Sequence, residues 1–158
     1  MKPRIILLAG AIALAFASPL ALGHDSQTAR VNFSKCPLAV NPADAPPGTI
    51  LTNAGTATGG ATGPLKAFVL PGSLVPLAPN VIFLSAKYVV EAGARSFTAH
   101  VVGRYDLNIG EAELFGVVSE GWLAGSKVVD KFHSTAAGCV AGRLTITSWP
   151  LADDDDED

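Results

Sequence analysis

Apolar and polar residues alternate most clearly in the middle of this chain. Across Val81 to Glu91 the even positions Ile82, Leu84, Ala86, Tyr88 and Val90 are apolar. Across Ser96 to Asp106 the odd positions Phe97, Ala99, Val101, Gly103 and Tyr105 are apolar, and Ser96, Thr98, His100, Arg104 and Asp106 between them are polar. A period of two belongs to a strand with one face against a core. Ala92-Gly93-Ala94-Arg95 between the two runs reads as a hairpin loop. Pairing residues whose numbers sum to 187 sets Val90 against Phe97, Tyr88 against Ala99 and Ala86 against Val101. Every apolar side chain then shares one face, and a slip of one residue would turn them all outward.

The pattern continues toward the C-terminus. A third strand, about Glu111 to Leu123, carries apolar residues on both faces: Leu114, Val118 and Trp122 on one, Phe115, Val117 and Leu123 nearby on the other. Either it is buried on both sides or a bulge near Gly116 switches its faces. Ala124-Gly125 turns the chain into a strand over Ser126 to Phe132. After Ser134 to Gly138 a last strand runs from Val140 to Ser148, with Val140, Leu144 and Ile146 aligned. Upstream, from Cys36 to Pro79, prolines and glycines recur too densely for any helix, because each proline lacks the N–H and clashes one turn back. Short strands fit at Thr49 to Asn53 and Leu65 to Leu70. The low-complexity tract Gly55 to Gly63 reads as an exposed loop.

Six to eight strands joined by short turns predict an all-β, antiparallel fold. A small β-barrel of calycin-like size and a β-sandwich both fit. Gly103, Gly116, Gly121 and Gly142 inside strands favour the barrel, whose strands must bend.

The N-terminus alters the picture of where the protein works. Lys2 and Arg4 precede the apolar run Ile5 to Ala17, Ser18-Pro19 breaks it, and Ala21-Leu22-Gly23 places small residues before His24. These are the parts of a secretory signal peptide, residues 1–23. The expected organisation is then a segment 24–48 tied by a disulfide, an antiparallel β domain 49–150 and a disordered acidic tail 151–158. Cleavage would leave 135 residues, one domain's worth of chain. Of its 14 acids, six are the last six residues, Asp153 to Asp158, so the domain itself is near neutral. No basic stripe supports nucleic-acid binding. No later run of 18 apolar residues calls for a membrane after cleavage. Cys36 and Cys139 form an even pair in an exported chain and read as one disulfide. The expected location is secreted or periplasmic.

Catalytic motifs are scarce. Gly116-Val-Val-Ser119-Glu-Gly121 has the wrong spacing for a nucleophile elbow. Glu111 and Glu113 could stand as paired acids but suit a solvated strand face better. P-loop, dinucleotide and zinc-protease motifs are absent, and no catalytic residue is assigned. Asn32-Phe33-Ser34 matches a glycosylation acceptor, relevant in a eukaryotic secretory pathway. The acidic tail supplies charge for calcium without fixed geometry. Metal candidates are the histidines. As a new amino terminus, His24 joins a free amine to an imidazole, and His100 or His133 could complete the nitrogen set that copper prefers. Against this, the 187 register sets Lys87 opposite His100, and His133 follows Lys131 on a polar face. The leading expectation is a non-enzymatic barrel that binds a small ligand or a protein partner, with Tyr88 and Tyr105 at the ligand and no cofactor. A copper protein using His24 and an enzyme with an unflagged active site are the alternatives.

Overall fold

The computed structural model describes residues 27–135 and 138–148. Among them are nine strands: β1 (Thr28–Pro37), β2 (Leu51–Gly59), β3 (Gly63–Val69), β4 (Val75–Ala78), β5 (Val81–Val90), β6 (Phe97–Asp106), β7 (Glu111–Gly121), β8 (Lys127–Ser134) and β9 (Val140–Thr147). All pairings are antiparallel, in the order β3-β2-β1-β9-β8-β7-β6-β5-β4. A further pairing of β3 with β5 closes eight of the strands into a barrel. β4 is the extra strand. It takes the edge of β5 at Val81–Phe83, beyond the point where β3 leaves it at Val69↔Ala86. Closure leaves the barrel itself no free edge, which is how a small antiparallel sheet avoids unpaired backbone.

The β5–β6 hairpin has the expected register along its whole length, from Val81↔Asp106 to Val90↔Phe97. Its loop is a short 3-10 turn at Gly93–Arg95. Leu84, Ala86, Tyr88, Val90, Phe97, Ala99 and Val101 are buried, while His100 is exposed on the opposite face.

Three expectations need correction. The tract Gly55 to Gly63 is not a loop: through Gly59 it is strand β2, paired with β1 from Pro37↔Asn53 to Val31↔Gly59, and Gly63 already opens β3. Its small residues reflect closeness between neighbours, since a Cβ at Gly55 would overlap the backbone of Ser34 and Lys35. In β7 the bulge lies beyond Gly116. Thr98 pairs with Glu120 and Ala99 with Val118, so Ser119 is the extra residue. Nor is β7 buried on both sides: Ala112, Leu114 and Val118 face inward, whereas Phe115 and Val117 are about half exposed, at 47% and 48%. Finally, the segment leading to Cys36 is more than an extended staple. β1 is a full barrel member between β2 and β9, with Val31 and Phe33 buried inside.

The interior divides into two parts. At the end carrying the β2–β3, β5–β6 and β7–β8 turns it is solid, filled by Val31, Leu65, Val90, Phe97, Val118, Val128 and Ile146. Trp122 covers this plug, its ring 6.4 Å from that of Phe97, and Arg95 lies over the indole at 5.5 Å. At the opposite end the Cys36–Cys139 disulfide joins the end of β1 to the residue before β9. That end is hollow.

Candidate functional site

Three inward-pointing polar side chains form the floor of the hollow end. On β1 the buried alternation runs Val31, Phe33, Lys35, and on β8 it runs Val128, Asp130, Phe132. Each strand therefore places a charge where the pattern calls for an apolar group. Lys35 is 5% exposed and Asp130 0%, and Tyr88 of β5, also 0% exposed, stands between them. Lys35 Nζ donates a hydrogen bond to Tyr88 Oη, and Tyr88 Oη donates to Asp130 Oδ2 at 2.8 Å. The ammonium also lies against aromatic rings, 3.9 Å from the centroid of Tyr88, 4.9 Å from Phe33 and 5.2 Å from Phe132. Asp130 Oδ1 is buried without a hydrogen-bond partner.

Burial governs the acid–base state of the three. Removal from water pulls the Lys35 amine down from 10.5 to about 8, against the opposing pull of Asp130. It pushes the Asp130 carboxyl up from 3.8 to about 6, against Lys35 and the Tyr88 hydrogen bond. Tyr88 moves up as well, first through burial and then through Asp130. Amine and carboxyl are thus drawn toward neutrality from opposite sides, as expected where low dielectric penalises charge.

Above this floor is a cavity of about 310 Å³. Its walls include Ala67, Leu84, Ala86, Tyr88, Tyr105 and Phe132, and Lys35 is the one charged residue lining it among the described residues. Tyr105 Oη and Ser134 Oγ share a hydrogen bond at 2.5 Å on one wall. Around the mouth Leu51, Leu74 and Leu107 line the cavity yet are 38%, 47% and 50% exposed. A concave apolar space with a few convergent polar groups is the usual form of a small-molecule site.

A wider groove of about 500 Å³ crosses the outer surface along Arg104, Asp106, Glu111, Glu113, Lys131 and His133. It is open to solvent, and within it Lys131 Nζ lies 2.7 Å from Glu113 Oε1. Glu111 and Glu113 are thus outer-face residues, as a solvated strand face requires.

The two tyrosines singled out from the sequence both meet the cavity. The histidines do not come together. His133 pairs with Glu111 and His100 with Val117, six residues along β7, which is roughly 20 Å at about 3.3 Å per residue. They cannot ligate one ion, and His24 lies outside the described residues. So do the leader, its cleavage site and the acidic tail. Among the described residues no three His, Cys, Asp or Glu side chains gather where a metal could sit. Lys35 at the cavity floor and Asp130, buried behind Tyr88, were missed from sequence. Their parity was the available signal: each shares the inward phase of apolar neighbours two residues away. No known family, curated protein or solved structure matches this chain.

Proposed function

We propose that this barrel is a small-molecule binding protein whose ligand enters the hollow end and reaches Lys35 with one oxygen. The observation that carries the reading is the juxtaposition of an apolar cavity with a single, fully buried amine at its floor. The charge balance favours a neutral ligand. Lys35 is already matched by Asp130 through Tyr88, so an anion or cation brought in from water would stay unbalanced in a low-dielectric space. A carbonyl or hydroxyl oxygen needs only a hydrogen bond from the amine or from Tyr105. The volume suits a molecule of on the order of ten to twenty non-hydrogen atoms, given about 30 Å³ per water in the liquid and closer spacing between bonded atoms. Exposed leucines at the mouth give such a ligand an apolar approach. The Cys36–Cys139 disulfide is compatible with an extracellular or periplasmic setting, and the leader-like N-terminus supports that reading.

Fluorescence titration with the neutral apolar dye N-phenyl-1-naphthylamine tests the reading. The dye should brighten on binding and be displaced by 1-octanol. Ala86→Leu, which fills the cavity from β5, should weaken both by about tenfold or more while the barrel stays folded. A dye that ignores the protein, or binds Ala86→Leu equally well, would overturn the proposal.

A further inference from the structure

We infer that the cavity captures apolar aldehydes covalently, the carbonyl carbon becoming bonded to Lys35 Nζ as a reversible imine; this rests on the cavity being a ligand site. Imine formation needs a primary amine that can shed its charge, a group that takes and returns the proton, space for the carbonyl's chain, and an exit for water. Each requirement has a residue here. Lys35 lines the cavity and its amine is buried against three aromatic rings. The hydrogen bonds run in one direction, from Lys35 Nζ to Tyr88 Oη and from Tyr88 Oη to Asp130 Oδ2. One proton shifted along each bond leaves a neutral amine, a neutral tyrosine and a neutral carboxylic acid. Burial brings that state closer in energy to the ion pair, lowering the amine's proton affinity and raising the carboxyl's. Asp130 Oδ1 has no partner, so the carboxylate is under-stabilised as an anion and suited to accept the proton.

The chemistry balances without an oxidant or reductant. The nitrogen lone pair attacks the carbonyl carbon, the C–N bond forms, and the carbonyl π electrons move to oxygen, which takes a proton from nitrogen to give a carbinolamine. The C–O bond then breaks. The hydroxyl leaves as water with the proton that Asp130 returns through Tyr88, and the nitrogen lone pair makes the C=N bond. Ammonium plus aldehyde has become protonated imine plus one water, and the Asp130 carboxylate balances the cation before and after. Water leaves through the open mouth.

The fold itself does not demand this pair. A buried ion pair can usually be replaced by apolar residues of similar volume at no loss of stability, so its presence beside a cavity points to chemistry. The other lysines described, Lys66, Lys87, Lys127 and Lys131, lie on the outer surface and lack an aromatic, proton-sharing cage.

Octanal with cyanoborohydride near neutral pH, followed by intact-mass and peptide-mass measurement, tests the inference on the full protein. One octyl group should appear per chain, on the peptide carrying Lys35, about tenfold faster than on peptides carrying Lys66, Lys87, Lys127 or Lys131. 1-Octanol, which fills the space without a carbonyl, should protect Lys35. Lys35→Met should lose the fast adduct; if that variant does not fold, octanol protection of the native protein carries the test. Adducts spread evenly over the lysines while octanol still displaces the dye would overturn the imine and leave ligand binding standing. Octanol that neither displaces the dye nor protects Lys35 would overturn both.

Discussion

The two ends of this barrel are made by the same strands and behave as different materials. At the closed end, inward positions such as Leu65, Phe97 and Ile146 are apolar and the space between them is full. A few residues further along those strands or their neighbours, inward positions hold Lys35, Tyr88 and Asp130 beneath a cavity of about 310 Å³. The closed end gains its stability from burial, at roughly 1.5–3 kcal/mol per large apolar side chain. The open end includes groups whose burial costs stability, and a disulfide constrains it from outside. The difference separates the part that holds the fold from the part where the proposed ligand would sit.

The largest expected effect concerns the disulfide. Replacing Cys36 and Cys139 by Ala removes a cross-link spanning 103 residues, which should cost about 4–5 kcal/mol on the chain-entropy account. Chemical denaturation without reductant measures it, and a loss below about 1 kcal/mol would mean that the open end does not depend on its staple.

Next is the charged floor. Lys35→Met alone strands Asp130 and should cost about 3–5 kcal/mol at neutral pH, whereas Lys35→Met with Asp130→Leu should be about as stable as the native protein. A double variant as unstable as the single would show that the pair serves structure.

Leucines at the two ends sharpen the contrast. Leu65→Ala at the closed end should cost about 2–5 kcal/mol because it opens a new void. Leu84→Ala, which only enlarges an existing cavity, should cost less than half as much in the same denaturation experiment.

The pH dependence of stability is a smaller effect and has a definite sign. The Asp130 carboxyl, raised to about 6 in the folded state, contributes stability that is full below its unfolded value and lost as pH rises through 6. The Lys35 amine, lowered to about 8, contributes stability that is full above its unfolded value and lost as pH falls through 8. The pair's contribution is therefore lowest between about pH 6 and 8 and rises on either side, by on the order of 3 kcal/mol for shifts of this size. Denaturation midpoints across pH should show this dip in the native protein relative to the Lys35→Met, Asp130→Leu double variant. Smallest of all, His100→Ala on the exposed outer face should change stability by no more than about 0.5 kcal/mol. A large loss there would break the inside–outside assignment of the hairpin.

Much of the framework was legible along the chain. The β5–β6 register followed from alternation alone, because a strand's side chains change face at every residue and only one pairing hides all the apolar ones. The disulfide followed from there being two cysteines. Other parts misled for physical reasons. Gly55 to Gly63 carries turn-forming residues, yet ladders on both sides hold Leu51–Gly59 extended. The bulge at Ser119 leaves no mark in composition, since it depends on how β6 and β7 meet.

By itself the sequence determined an all-β chain, the inward phase of its strands and the pairing of Cys36 with Cys139, since these rest on local alternation and on the count of one residue type. Only the tertiary structure decided that β3 meets β5 to close the barrel. Only closure brings Lys35, Tyr88 and Asp130 together from residues 53 and 42 positions apart. A charge at an inward phase is unfavourable read along one strand; it becomes a site when two other strands supply its partners and the space above it stays empty.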